Sequence, residues 1–318
     1  VVELNAHAVI FDRPGHADFR AVDLTPPGPG DIVVQVDFSG ISTGTERLLW
    51  TGTMPEFPGM GYPLVPGYES TGQVVWAGPE SNRKEGQRVF VPGAACFCAI
   101  RGLFGGAASM LVVPGKRTQV IDAALGERGI LLALAATAHS ILRAPEGGFR
   151  LPGLIIGHGA LGRLLARLTV LLGDQPPVVW ENDPKRSDGG SGYRVTRAVE
   201  DDAADHAVIV DVSGSNGLLD SLIARLAPGG EIVLGGFYSE PLQFAFPPAF
   251  MRRARLRVAA EWAPEDLEAV SRLACSGELD LGDLITDRSN ADLTQSAYEK
   301  AFDSAECLKM VLDWRTLH

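Results

Sequence analysis

The run Leu154-Ile155-Ile156-Gly157-His158-Gly159-Ala160-Leu161-Gly162 is the stretch of this 318-residue chain best equipped for chemistry. An apolar segment that ends in glycine and turns at once into a helical pattern, here over 163–172, is the context in which G-x-G-x-x-G binds a dinucleotide. Gly157 permits a tight turn, Gly159 lets the backbone approach a pyrophosphate, and Gly162 lets helix and strand pack closely. His158, Ala160 and Leu161 complete a loop whose free N–H groups and positive helix end would face phosphates. Val178-Val179-Trp180 closes on Glu181, an acid roughly twenty residues on and placed to accept hydrogen bonds from adenosine ribose hydroxyls. A carboxylate there repels a 2′-phosphate, so NAD is the expected cofactor, although the cations Lys185 and Arg186 lie close by in sequence.

Other residues join this set with less specificity. Ser213-Gly214 and Gly235-Gly236 end further apolar runs and are expected to close a crevice around the two riboses. His139 has an ordinary pKa near ~6.5, which suits a general base, but a lone histidine on an apolar helix equally suits a core position. Trp50, Phe57, Met60, Tyr62, Phe104, Phe237 and Tyr238 could line a large flat pocket, or simply fill the core beside glycine turns.

These residues need two kinds of scaffold. Segments 7–11 and 31–38 read as strands, the second alternating Ile32, Val34, Val36, Phe38 against Val33, Gln35, Asp37. Segment 39–78 is rich in Gly, Pro and aromatics and reads as irregular functional loops. Segments 86–91 and 107–113 give further strands. A buried-looking helix is expected over 130–142, and beyond it strands alternate with helices: strands at 207–212, 231–235 and 255–260, helices at 218–226 and 264–275, the last stopped by Gly277. Alternation of this kind builds a parallel sheet covered on both faces, with the ligand crevice beyond the strands' carboxyl ends. The fold class is therefore α/β, a β-rich half followed by a doubly wound half.

Composition sets the bounds. The residues are 46% hydrophobic and 21% charged, as in a globular chain of up to two domains. A formal net charge of -11 argues against nucleic acid or anionic lipid as a partner and suits a small-molecule enzyme. The four cysteines are too few and scattered for a disulfide framework, and no leader pattern is apparent, so a reducing cytoplasm is expected. The longest apolar run, 130–142, falls short of the ~20 residues a spanning helix needs.

A β-rich half, a dinucleotide-binding half and a C-terminal return, with motifs at 40–46, 65–69, 157–162, 211–214, 226–235, Ile285-Thr286 and 301–311, resemble the medium-chain dehydrogenase/reductase family along essentially the whole chain. The resemblance implies a GroES-like catalytic domain over 1–135, a Rossmann NAD-binding domain over 136–253, and a return over 254–318 that completes the first. Segments 42–50, 57–69 and 101–106 resemble in particular the branch that oxidises the 3-(1-hydroxyethyl) group of a bacteriochlorophyllide-type pigment to 3-acetyl with NAD. That implies a pigment substrate and, as is common in the family, a homodimer. Other readings are a quinone or enoyl reductase of the same family and a non-catalytic NAD-binding sensor or scaffold.

Zinc-dependent relatives hold their metal with Cys, His and Cys. The matching positions here are Ser42 or Thr43, Tyr68, and Ala133 or its neighbourhood, none a good zinc ligand. Cys96-Phe97-Cys98 lacks the spacing of the family's structural-zinc loop. No metal is expected. The resemblance assigns Thr45 as the proton-relaying hydroxyl, places Tyr68 and Glu69 at the former metal site, and gives Thr137 and Lys309 contacts to the nicotinamide end and the pyrophosphate.

Overall fold

The computed structural model describes residues 4–173, 175–238, 240–259 and 261–317. They form two compact units, Val1–Ala133 with Leu281–His318, and Leu134–Asp280.

In the first unit the strand Asp31–Ile41 is central because it is apolar on both faces, with Ile32, Val33, Val34 and Val36 all fully buried. A seven-stranded sheet runs Asp287–Asn290, Met310–Asp313, Asp31–Ile41, Ser70–Ala77, Arg88–Val91, Gln119–Val120, with Met110–Pro114 also paired to Asp31–Ile41. A second sheet orders His16–Asp23, Asn5–Arg13, Leu64–Val65 and Arg101–Gly102. The C-terminal return is sewn into this core by Tyr298, whose ring meets Phe11 edge-on at 4.9 Å and stacks on Trp50 at 5.9 Å.

The second unit is a six-stranded, wholly parallel sheet. Its order is Arg194–Thr196, Val178–Trp180, Leu154–Ile156, His206–Asp211, Leu226–Leu234, Arg255–Val258. Numbered by sequence this is 3-2-1-4-5-6, the Rossmann arrangement, with its switch point between Leu154–Ile156 and His206–Asp211. A Cβ on Gly162 would lie 1.9 Å from the carbonyl oxygen of Gly157, so the helix Ala160–Leu172 can start this close to the strand only with glycine there.

Several expectations are corrected. The loop-like 39–78 holds the helix Thr45–Thr51 and the strand Ser70–Ala77, which lies close to Asp31–Ile41 at Gly72, where a Cβ would come within 2.1 Å of the Gln35 carbonyl oxygen. The return to the first unit comes at Leu281, not 254, because Arg255–Val258 completes the parallel sheet and the helix Pro264–Ser276 is tied to the same unit. Ala260, the last residue of the strand expected at 255–260, lies outside the described residues. Among the described residues one helical run, Ala123–Leu142, is long and apolar enough to cross a membrane. It is 67% buried and breaks at Gly126, as a core element does.

Candidate active site

In the second unit the fingerprint turn forms a cradle. Gly159 caps the helix Ala160–Leu172 without a side chain, and a Cβ there would meet nothing within 4 Å. Open space in front of a helix N-terminus is what a pyrophosphate requires, so the residues fit a dinucleotide. Glu181 sits beside the turn: its carboxylate accepts from the backbone N–H of His158 at 3.1 Å and of Asp183 at 2.9 Å. Ser213 and Gly214 form an exposed rim, with the Ser213 hydroxyl and N–H both on Asp211 Oδ1. The N–H groups of Gly235 and Gly236 bind the Asp211 carbonyl, drawing that second turn toward the first. Burial raises the Asp211 carboxyl's pKa, and the two bonds from Ser213 oppose that rise.

In the first unit a second cluster gathers hydroxyls over buried charge. The Tyr68 hydroxyl lies 2.6 Å from Ser42 Oγ and also bonds the Thr45 side chain. Burial, with the Glu69 carboxylate beside it, pushes the Tyr68 phenol above its ordinary range, so it remains a neutral donor. Beneath it Glu69 is fully buried and paired with Lys309 Nζ at 2.6 and 2.9 Å. Gly40 makes this possible, since a Cβ there would lie 2.2 Å from Glu69 Oε2. Glu46 is equally buried, accepting from the Ser42 N–H at 3.1 Å and the Tyr298 hydroxyl at 3.3 Å. Burial, then repulsion from Glu69, push the Glu46 carboxyl up to about 8.

The donor set does not fit the zinc that metal-dependent relatives carry. Ser42 and Tyr68 are neutral hydroxyls bonded to each other, Glu69 is committed to Lys309, and Ala133 offers no ligand. Among the described residues one group, Asp12, His16 and Asp18, brings its ligand atoms within 4.8 Å, but Arg20 already pairs with both acids.

Other candidates fall elsewhere. Lys309 is not available to a pyrophosphate: its ammonium is buried and bound to Glu69 and to the Ile41 carbonyl. His139 is a structural residue, its Nδ1 2.7 Å from the buried Asp266 carboxylate and its ring against Phe149. Thr137 is half-buried on the helix Leu132–Leu142. Trp50 belongs to the aromatic core with Phe11, Tyr298 and Phe302, and Tyr62 donates its hydroxyl to the Leu49 carbonyl. Met60 packs on the same core, while Phe57 is exposed. Phe104 stands edge-on to Tyr68 at 5.4 Å and is the aromatic candidate placed at the hydroxyl cluster. Phe237 is exposed, and Tyr238 donates to the Asp211 carbonyl at 3.2 Å beside the Rossmann turns. Sequence reasoning missed Glu46 and Tyr298. Their sole sequence signal is an acid in the first turn of an apolar helix, and its partner lies 252 residues away.

The model of the alcohol dehydrogenase GroES-like domain matches residues 28–123. Along its length the chain is 52% identical to the 2-desacetyl-2-hydroxyethyl bacteriochlorophyllide A dehydrogenase of Rhodobacter capsulatus, covering 98% of this chain and 99% of that one. The chain belongs to the medium-chain dehydrogenase/reductase family. A second such relative, the protein of the same name from Cereibacter sphaeroides, is 53% identical over 97% of this chain and 98% of its own. The medium-chain fold is shared with 2R,3R-butanediol dehydrogenase from Bacillus subtilis, at a TM-score of 0.83 and 18% identity over 97% of this chain and 99% of that one.

Proposed function

We propose that this chain oxidises the 3-(1-hydroxyethyl) group of a bacteriochlorophyllide to 3-acetyl, with NAD as hydride acceptor and without zinc. One observation carries the reading: in a chain similar over 98% of its length to a hydroxyethyl bacteriochlorophyllide dehydrogenase, Ser42 and Tyr68, at two of the family's metal positions, are hydroxyls bonded to each other, and Tyr68 also bonds Thr45.

Oxidation breaks the carbinol C–H bond, whose electron pair leaves as hydride, and the O–H bond, whose proton must go to the protein or water. NAD supplies the hydride acceptor when bound, held at the Gly157–Gly159 turn with Glu181 toward its ribose hydroxyls. Tyr68, kept neutral, donates a hydrogen bond to the substrate oxygen and orients it. It is therefore not the base. Thr45, half-buried and bonded to Tyr68, accepts the alcohol proton as it passes its own to solvent water. A carbinol carbon conjugated to a macrocycle stabilises the positive character that grows as hydride leaves, which reduces the polarisation a metal would have to supply.

Oxidation brings a carbonyl into conjugation, so mixing enzyme, NAD and hydroxyethyl pigment should move the long-wavelength band to the red as NADH appears. Ready turnover of simple secondary alcohols or quinones with an unmoved pigment band would replace this reading with the generic reductase.

Two further features belong to the same reading. Arg255–Val258 is an open edge strand, and Val258, Phe246, Phe250 and Met251 beside it are exposed. A second copy pairing edge to edge would cover them and extend the sheet, giving a homodimer. Sedimentation as a monomer at micromolar concentration would count against it. All four cysteines are free thiols, as a reducing cytoplasm permits, and recovery of the protein outside the cytoplasmic fraction would contradict that placement.

A further inference from the structure

His158 occupies the variable second place of the glycine fingerprint, where any residue would supply the same backbone. Its side chain is nonetheless fully buried, and both ring nitrogens are engaged. Nδ1 lies 2.6 Å from the Arg186 carbonyl oxygen and Nε2 lies 2.8 Å from the Tyr193 hydroxyl. A carbonyl only accepts, so Nδ1 carries the proton, and in the neutral ring Nε2 then accepts from Tyr193. Burial, with Arg163 adding repulsion, lowers the ring's pKa to about 4, which keeps it neutral and in that tautomer near pH 7.

The segment so held is the one that follows Glu181. Asp183 caps the short turn Pro184–Arg186, and the chain then runs back through Gly189 to Tyr193. Arg163, in the first turn of the fingerprint helix, adds bonds to the carbonyls of His158 at 3.2 Å and Arg186 at 3.4 Å. Its guanidinium fills the place a side chain at Gly189 would need. The Glu181 carboxylate spans the two ends of this frame, one oxygen on the His158 N–H and the other on the Asp183 N–H. Lys185 and Arg186, the cations that would favour a 2′-phosphate, are thus carried on a segment whose backbone the ring of His158 fixes.

We propose that His158 is a positioning residue for cofactor selectivity: its imidazole pins the 183–193 segment to the fingerprint turn, and this keeps Glu181 forward and the neighbouring cations away from a nucleotide's 2′ position. The inference rests on the reading that this unit holds NAD with Glu181 toward the ribose. Freed of the ring, the segment relaxes and a 2′-phosphate is tolerated.

The test is binding of NADH and NADPH to the full-length chain, followed by nucleotide fluorescence with no pigment present. In wild type NADH should bind more tightly. His158→Ala should shift the NADPH-to-NADH preference toward NADPH by about tenfold. His158→Asn, whose amide N–H can stand in for Nδ1–H toward Arg186, should restore most of the discrimination, and Tyr193→Phe should lose part of it. If His158→Ala weakens both nucleotides in proportion, or leaves the ratio unchanged while His158→Asn does the same, the proposal is overturned. Should His158→Ala not fold, a Tyr193→Phe variant as selective as wild type overturns it equally. Failure of the underlying reading looks different, because there wild type itself prefers NADPH or Glu181→Ala leaves the ratio untouched.

Discussion

Lys309 Nζ lies 2.6 Å from Glu69 Oε2, an ion pair closed to solvent that joins residues 240 positions apart. It fastens the return strand Met310–Asp313 to the loop that carries Tyr68, so the floor of the hydroxyl cluster is built by the end of the chain. A buried pair of this kind contributes little net stability over an apolar replacement, but a lone survivor is an uncompensated buried charge.

Lys309→Met should therefore lower unfolding stability by about 3–5 kcal/mol in a urea titration. Combining it with Glu69→Gln should recover most of the loss, because no bare charge remains. A single Lys309→Met variant as stable as wild type would mean that the pair is not formed in solution.

Glu46 gives stability a pH dependence of defined sign. Its folded pKa, near 8, lies above the unfolded value of 4.5, so between those values the native state holds a proton that the unfolded chain has released. Stability from this group consequently falls as pH rises from about 4.5 to 8 and is flat beyond, a total on the order of a few kcal/mol. Glu46→Gln should remove that slope and be more stable than wild type at pH 8, read as the difference between denaturation midpoints at pH 5 and pH 8. Parallel pH profiles for the two proteins would contradict it.

The dinucleotide unit is legible in the sequence because its signals are local. Gly157, Gly159 and Gly162 act within one turn, and Glu181 reaches the His158 N–H across neighbouring strands. The charged floor of the other unit is not, since Glu69 meets Lys309 and Glu46 meets Tyr298 only after the return has folded back. Nothing local in the sequence therefore corrects the phosphate contact that the family resemblance implies for Lys309. Trp50 reads as a pocket aromatic for the same reason, its partners Tyr298 and Phe302 lying far along the chain. The return at 254 comes from the family resemblance, whereas the strand at 255 is legible in the alternating pattern, and its ladder to Leu226–Leu234 keeps it in the parallel sheet.

Replacing Glu181 by Ala should weaken NADH binding by about 1–2 kcal/mol, the scale of hydrogen bonds to a charged group. NADPH should weaken less, or gain, because the repelling carboxylate has gone. Isothermal titration with both nucleotides reads the difference directly, and equal losses for the two would show that Glu181 does not face the ribose.

The last prediction concerns the metal positions. Ser42 and Tyr68 satisfy each other at 2.6 Å, and neither is an anion at neutral pH, whereas a catalytic zinc needs thiolate, imidazole or carboxylate donors. Purified protein should contain well under one zinc per chain, and a strong chelator should leave pigment oxidation unchanged. If Tyr68 instead supplies the hydrogen bond that orients and stabilises the reacting oxygen, Tyr68→Phe should lower kcat on the order of tenfold to a hundredfold while KM for the pigment moves little. Thr45→Ala should lower kcat as well and make it more sensitive to added small bases that can take the proton in its place. Stoichiometric zinc whose removal abolishes turnover, or a Tyr68→Phe enzyme with wild-type kcat, would return the chemistry to a metal or to another donor.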